Sequence, residues 1–396
     1  MLRRSMLFLS FLISGGSLVF PRLPILLVMI LLAFSVTGIR LPSRRKMWPV
    51  FALFVIILLV SLVRPEPISL ESLAIRFANF ISALLILNVY VRAPSGALAR
   101  DLASILYWMA IQAIATVALA LSVEFLFATI NVDDSSFQSL LLVFNYHVVI
   151  EDVGSLVRPN GFFFEPGVFQ FYLNLYLYLT LFVLRNRGHS LLAFSAVIST
   201  QSTTGFLICT LLLITALWQR FGSGRLRQKM AVLLIALAVA PPFAFIGYAN
   251  ITEKLSGESQ GSSWAREYDF FTGLNVISEY PLLGIGFDHA RYLAVSSTFP
   301  FADSLLSEKG MEDRATSNSL IYLTYTLGIP LAIVFLIGMF RQQFFRDRFL
   351  VGMLLVLSLF SEAIVYTPFI LMIVLSAFMV NRQGARTPRV FRRLLA

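Results

Sequence analysis

Apolar runs long enough to cross a bilayer recur from one end of this chain to the other, and no soluble fold accommodates so many. A spanning helix takes about 17–25 mostly apolar residues. Runs of that kind, the first two somewhat short, cover 6–20, 23–38, 47–63, 73–91, 105–130, 168–184, 230–246 and 319–340. Two longer runs, 191–218 and 349–380, divide at S-T-Q-S-T-T-G and S-E-A-I-V-Y-T-P, where polar residues with Gly or Pro permit a reversal. The result is an all-α polytopic membrane protein of about twelve transmembrane helices. Composition agrees: the chain is 58% hydrophobic and 13% charged, with a mean hydropathy of +0.81, which excludes an ordinary soluble domain.

The basic residues orient this array, because short cytoplasmic loops carry them in excess. With the N-terminus inside, the inner face receives Arg3, Arg4, Arg44, Arg45, Lys46, Arg185, Arg187, Arg220, Arg341, Arg346, Arg348 and the C-terminal arginines, while few acids fall there. Both termini are then cytoplasmic, as in a multi-pass protein of a plasma membrane. Two loops face outward, 131–167 and 248–316. The N-terminal M-L-R-R-S-M-L-F-L-S-F-L-I-S-G-G-S resembles a signal peptide but runs at once into a second apolar span, so it reads as an uncleaved first helix. No repeat or low-complexity linker divides residues 1–396, which read as one integral membrane domain.

Composition also removes some chemistries. The net charge of +10 is dispersed between apolar spans rather than gathered into a patch, so no nucleic-acid partner is expected. Cys209 is the only cysteine, and His147, His189 and His289 lie far apart, so neither a disulfide nor a metal site is expected, and no cofactor.

Chemistry is expected in the outer loops, where water reaches polar side chains. Arg158 opens R-P-N-G-F-F-F-E-P-G, which leads into a helix at Pro166 or Gly167. An arginine beside a helix N-terminus suits a phosphate, since its planar fork donates two hydrogen bonds and the helix end favours an anion. Glu165 adds a carboxylate, and an Arg158–Glu165 salt bridge holding the turn is the plainer reading. In S-S-W-A-R-E-Y-D-F-F, Arg266 is flanked by Trp264 and Tyr268, which suit a sugar or an anionic headgroup as well as an interfacial aromatic belt. Asp288, His289 and Arg291 follow the turn E-Y-P-L-L-G-I-G-F. Within spans, Arg76 and Glu124 are expected to reach for the outer interface, and Glu362 to face an outer cavity.

Four separated pieces together resemble the O-antigen polymerase and O-antigen ligase superfamily. They are R-P-N-G-F-F-F-E-P-G from Arg158, S-T-T-G from Ser202, the stretch from Trp264 to Phe287, and T-S-N-S-L-I-Y-L-T-Y-T-L-G-I-P from Thr316. Two departures stand out. The family often has Ser-Arg-Gly-Gly where this chain has S-T-T-G. Ligases typically carry His-Asn where it has Ser317 and Asn318, which favours the polymerase reading because serine cannot accept a proton as histidine does.

The resemblance implies a GT-C-like glycosyltransferase that moves a glycan from a polyprenyl pyrophosphate to a sugar hydroxyl at the outer face, with a chain-length regulator and a flippase as partners. Arg158 and Arg266 are assigned to the pyrophosphate and Glu165 to the acceptor hydroxyl. Trp264, Tyr268, Asp288, His289, Arg291 and Asn318 are assigned to substrate binding. A ligase with another acceptor and a lipid-linked sugar transporter are the competing readings.

Overall fold

The computed structural model describes residues 1–14, 21–38, 44–62, 70–132, 135–148, 157–221, 260–287, 289–296 and 317–379. Five helices come first: α1 (Leu2–Leu12), α2 (Arg22–Thr37), α3 (Arg44–Leu62), α4 (Leu70–Arg92) and α5 (Ala97–Val123). A sheet follows, then α6 (Pro166–Tyr178) with a π-helical extension (Leu179–Leu184), α7 (Arg187–Ser199) and α8 (Thr203–Phe221). Beyond these come α9 (Gln260–Glu279), α10 (His289–Ser296), α11 (Ser319–Leu327), α12 (Ile329–Arg341), α13 (Arg348–Ser361) and α14 (Pro368–Ser376).

Among the described residues, four helical stretches are long and apolar enough to cross a membrane: Leu73–Arg92, Ala97–Leu126, Pro166–Leu184 and Thr203–Arg220. Four shorter apolar helices accompany them, fewer than the expected twelve; the expected span 230–246 lies outside the described residues. Both expected reversals are present, between α7 and α8 and between α13 and α14.

Three expectations are corrected. The fold is not all-α: residues 128–159 build a four-stranded antiparallel meander, β1 (Ala128–Val132), β2 (Ser135–Leu140), β3 (Phe144–Val148) and β4 (Val157–Pro159). The described part of S-L-L-L-V-F-N-Y-H-V-V-I, too short to span, turns at Leu141 and Leu142, both with φ near 60°, and Ser139 and Leu140 pair with Asn145 and Phe144. A short period-2 alternation, with Phe137 and Ser139 buried and Ser136, Gln138 and Leu140 less so, is the signal for β2. The span expected at 105–130 accordingly ends at Leu126, α5 closing at Val123 with one 3-10 turn after it, and Ala128 to Ile130 belong to β1. The run 319–340 is two helices, broken at Gly328, whose φ of +81° ends α11.

α6 is the centre of the assembly. Every residue from Val168 to Thr180 is buried, and α5, α7, α8 and α13 surround it; a helix apolar on all sides must be enclosed. Its upper half is locked by rings: Phe163 stacks on Tyr172 at 5.2 Å, and Phe11 meets Tyr172 at 4.4 Å and Phe369 at 5.0 Å. Tyr172 shares a 2.5 Å hydrogen bond with Ser14.

The helix ends separate into two polar levels. At one, Asp101 accepts from Arg3, Arg4 and Tyr90, and Tyr178 donates to Asp347. The other holds the sheet, the N-termini of α6, α8, α11 and α14, and the candidate site.

Candidate functional site

The decapeptide R-P-N-G-F-F-F-E-P-G runs from β4 into α6. Its loop is held from within: Asn160, fully buried, donates to the Phe163 carbonyl at 2.6 Å, and Asn145 on β3 donates to the Gly161 carbonyl at 2.7 Å. Phe163, also fully buried, anchors it below. α6 then starts at Pro166, a residue suited to the first helical position, and Glu165 stands exposed at its N-cap.

Arg158 is half-buried on β4, its Nε donating to the Thr200 carbonyl at 3.3 Å. That bond ties the first family-like piece to the α7–α8 turn, two residues ahead of the second. Gln201 reaches back from the α7–α8 turn to the Val157 carbonyl at 3.5 Å. Inside α6, Asn174 donates to the Gly205 carbonyl at 3.2 Å and to Gln170 at 2.8 Å.

The third and fourth pieces join at two places. Asp269, almost fully buried on α9, accepts from both the backbone N–H and the hydroxyl of Ser317, each at 2.9 Å. Asn318 caps α11, its side-chain oxygen accepting from Leu320 and Ile321 at 3.0 and 3.1 Å. Further along, the G-I-G turn crosses the α11–α12 break: Ile285 and Gly286 donate to the carbonyls of Tyr325 (2.6 Å) and Thr326 (2.9 Å), and Ile329 donates to that of Pro281 (2.8 Å).

Glu362 connects the two pairs. It is 3% exposed, and its carboxylate sits so close over Gly167 that a Cβ there would overlap it. A carboxylate on the first turn of α6 is favourably placed against the helix dipole. The Ser319 hydroxyl donates to the Glu362 carbonyl and accepts from Ile364 at 2.7 Å and Val365 at 3.0 Å. Arg76, expected to reach for the interface, instead lies over the rings of Tyr322 (5.4 Å) and Tyr366 (5.8 Å). All four pieces thus meet at one end of the bundle, with Glu362 and Arg76 between them.

The remaining expected site residues are distributed as follows. Trp264 and Arg266 fall on the first half of α9, and Tyr268, half-buried, follows them. His289 opens α10, and the Arg291 guanidinium lies 5.1 Å from the Tyr280 ring. Asp288 lies outside the described residues. Among the described residues, no three His, Cys, Asp or Glu side chains gather.

Two residues here were passed over in the sequence. Asp269 lies one turn after Arg266 in W-A-R-E-Y-D, a spacing that places both on one helix face. His147 on β3 is directly opposite Arg158 in the strand register; such pairs have Cβ atoms about 4.5–5.5 Å apart. Burial, with the Arg158 charge beside it, lowers the His147 pKa below its usual 6.5. The unfolded chain then takes up a proton below about pH 6.5 while the folded chain still resists. Stability is full above that pH and declines as the pH falls through the folded value. The thermal midpoint of purified protein should therefore drop on acidification below about pH 6.5, and His147→Gln should flatten that dependence.

Residues 189–336 match the O-antigen ligase family, Wzy_C. The match supports the O-antigen polymerase and ligase superfamily; it takes in the second, third and fourth pieces and stops short of Arg158 and Glu165 on one side and Glu362 on the other. With the apolar helices, it points to a membrane protein engaged in polysaccharide-related glycosyl transfer. Neither a curated protein nor a solved structure matches the chain.

Proposed function

We propose that this protein is a membrane glycosyltransferase of the bacterial envelope that polymerises a polysaccharide, joining a glycan held on polyprenyl pyrophosphate to a hydroxyl of a second lipid-linked unit. The observation that carries this reading is the convergence of the four family-like pieces on one end of the helix bundle around Arg158, Glu165 and Glu362. That end is the outer face in the orientation read from the basic residues, the orientation that also puts the two long polar segments, 131–167 and 248–316, outside.

In the proposed reaction the acceptor oxygen attacks the anomeric carbon and its proton passes to the Glu165 carboxylate. The bond from that carbon to the pyrophosphate oxygen breaks as the new glycosidic bond forms. The pyrophosphate leaves as an anion and needs no proton, so cations that neutralise the developing charge supply most of the acceleration. Arg158 and Arg266 have that role. Glu165 suits its own, being exposed where the acceptor would arrive. The exposed or half-buried aromatics, Tyr268 and those around it, offer faces for sugar rings. The donor is a polyprenyl-pyrophosphate-linked oligosaccharide in the surrounding lipid; a chain-length regulator and a flippase would work beside it.

The family match supports a ligase equally. The polymerase reading is favoured by Ser317, which holds the place where ligases typically carry a histidine and is engaged with Asp269 rather than open to a substrate hydroxyl. Expression of Glu165→Gln in cells lacking the native gene tests the assignment. Surface polymer should shorten to single repeat units while the protein still inserts, whereas normal chain lengths would remove Glu165 from the reaction.

A further inference from the structure

At the end of α6 opposite the candidate site, a cavity of about 590 Å³ opens between the π-helical extension, the start of α7 and the end of α8. A helix of nineteen residues, Pro166–Leu184, separates the two, about 28 Å at 1.5 Å per residue. Arg185, Arg187 and Arg220 line the cavity together with Gln219, and its inner wall is apolar, formed by Leu181 and Phe182 among others. Among the described residues, no acidic side chain lines it. Its volume is within the range of about 300–1,000 Å³ usual for small-ligand clefts.

The local backbone is arranged to bring these cations together. Arg185 is held in the left-handed region at φ +54°, where a side-chain-bearing residue is strained. Asn186 fixes the next step, its side chain accepting from the His189 N–H at 3.1 Å and its backbone N–H donating to Thr180 at 3.1 Å. Arg187 consequently falls on the first turn of α7, where the partial positive charge of the helix end opposes a second cation. Arg220 comes to the same cavity from the last turn of α8, so two helices and the loop between α6 and α7 bring three guanidinium groups to one cavity wall.

The level of the cavity narrows the choice of anion. Two spans, Pro166–Leu184 and Thr203–Arg220, end at it, so it lies at headgroup depth, with cations outermost and Leu181 and Phe182 toward the hydrocarbon. From this we infer that the cavity binds a phosphate-bearing anion and that the phosphodiester headgroup of an anionic phospholipid is its occupant. Arginine forks hold the phosphate oxygens, and the apolar wall takes the first methylenes of the acyl chains.

The test uses the purified full chain in detergent, with lipid adducts counted by native mass spectrometry. Dioleoyl-phosphatidylglycerol should bind at least about tenfold more tightly than dioleoyl-phosphatidylcholine, as two or three charge-assisted hydrogen bonds imply. The combined Arg185→Ala, Arg187→Ala, Arg220→Ala variant should lose that preference, while lysine at the same three positions should retain most of it. Millimolar inorganic phosphate should leave the lipid in place; displacement by it would make free phosphate the occupant and overturn the lipid assignment. Equal affinity for the two lipids in the unaltered protein, or an undiminished preference in a folded triple-alanine variant, overturns the site altogether. If the alanine variant does not fold, lipid selectivity in the unaltered protein and its retention in the lysine variant decide the matter.

Discussion

Arg158→Ala should lower glycan transfer by about 10²–10³-fold with the protein still inserted and folded, the loss seen when one donor to a developing oxyanion is removed, about 2.7–4 kcal/mol. The guanidinium is half-buried at the edge of the sheet and tied through its Nε to the Thr200 carbonyl, so its plane is held in a fixed direction. That rigidity is what makes a charge effective in a transition state, since nothing has to reorganise as the bond breaks. Arg158→Lys keeps the charge but not the fork, and should recover only part of the rate. Single-turnover transfer with a lipid-linked donor measures it. The lost bond to Thr200 should cost only about 1 kcal/mol of stability, so a thermal midpoint near that of the parent protein accompanying the loss of rate separates a chemical role from a structural one.

Gly328→Ala should act on stability instead, and severely. Gly328 has φ +81°, and a Cβ there would overlap the backbone of Leu282 and Leu283; Gly284, at φ +59°, meets the Tyr325 carbonyl in the same way. These are backbone atoms, tied by the bonds from Ile285, Gly286 and Ile329, and they cannot swing aside as a side chain would. Backbone strain of about 1–3 kcal/mol and overpacking of about 1–3 kcal/mol together reach much of the about 5–15 kcal/mol that holds a domain folded. Gly38→Ala is the control, because Gly38 shares the positive φ, +62°, with nothing within 4 Å of its Cβ position. Thermal unfolding in detergent should show for Gly38→Ala only the strain part of that cost, about 1–3 kcal/mol, and for Gly328→Ala a markedly larger loss of folded protein. Similar behaviour of the two would mean that the crossing is looser than its geometry implies.

Much of this architecture is legible in the residues alone, because hydropathy and punctuation act locally. The reversals at S-T-Q-S-T-T-G and S-E-A-I-V-Y-T-P and the start of α6 at Pro166 follow from helix chemistry that needs no partner. The meander was missed because Ser135 to His147 sits between long apolar helices, and its alternation is short and interrupted by the L-L-L-V tip. The break at Gly328 has a local signal in Pro330, which suits the first turn of a new helix, but the close crossing by the G-I-G turn that fixes it comes from far along the chain.

The site was legible in pieces but not in its joints. R-P-N-G-F-F-F-E-P-G and the T-S-N-S segment announce themselves, yet Glu362 over Gly167, Asp269 on Ser317 and Arg76 between Tyr322 and Tyr366 join residues scores to hundreds of positions apart. No local pattern encodes such pairings. His147 was set aside as isolated for the same reason, since its neighbour Arg158 arrives only through strand register.

The central claim is transfer of glycan between lipid-linked units, and reconstitution tests it most directly. Purified protein in nanodiscs would be given a lipid-linked repeat unit from its own envelope pathway and the products separated on a gel. A ladder of lengths, lost in Arg158→Ala, is the predicted result. Movement of the intact lipid-linked unit across a liposome bilayer, with no ladder, would contradict it and make the protein a transporter.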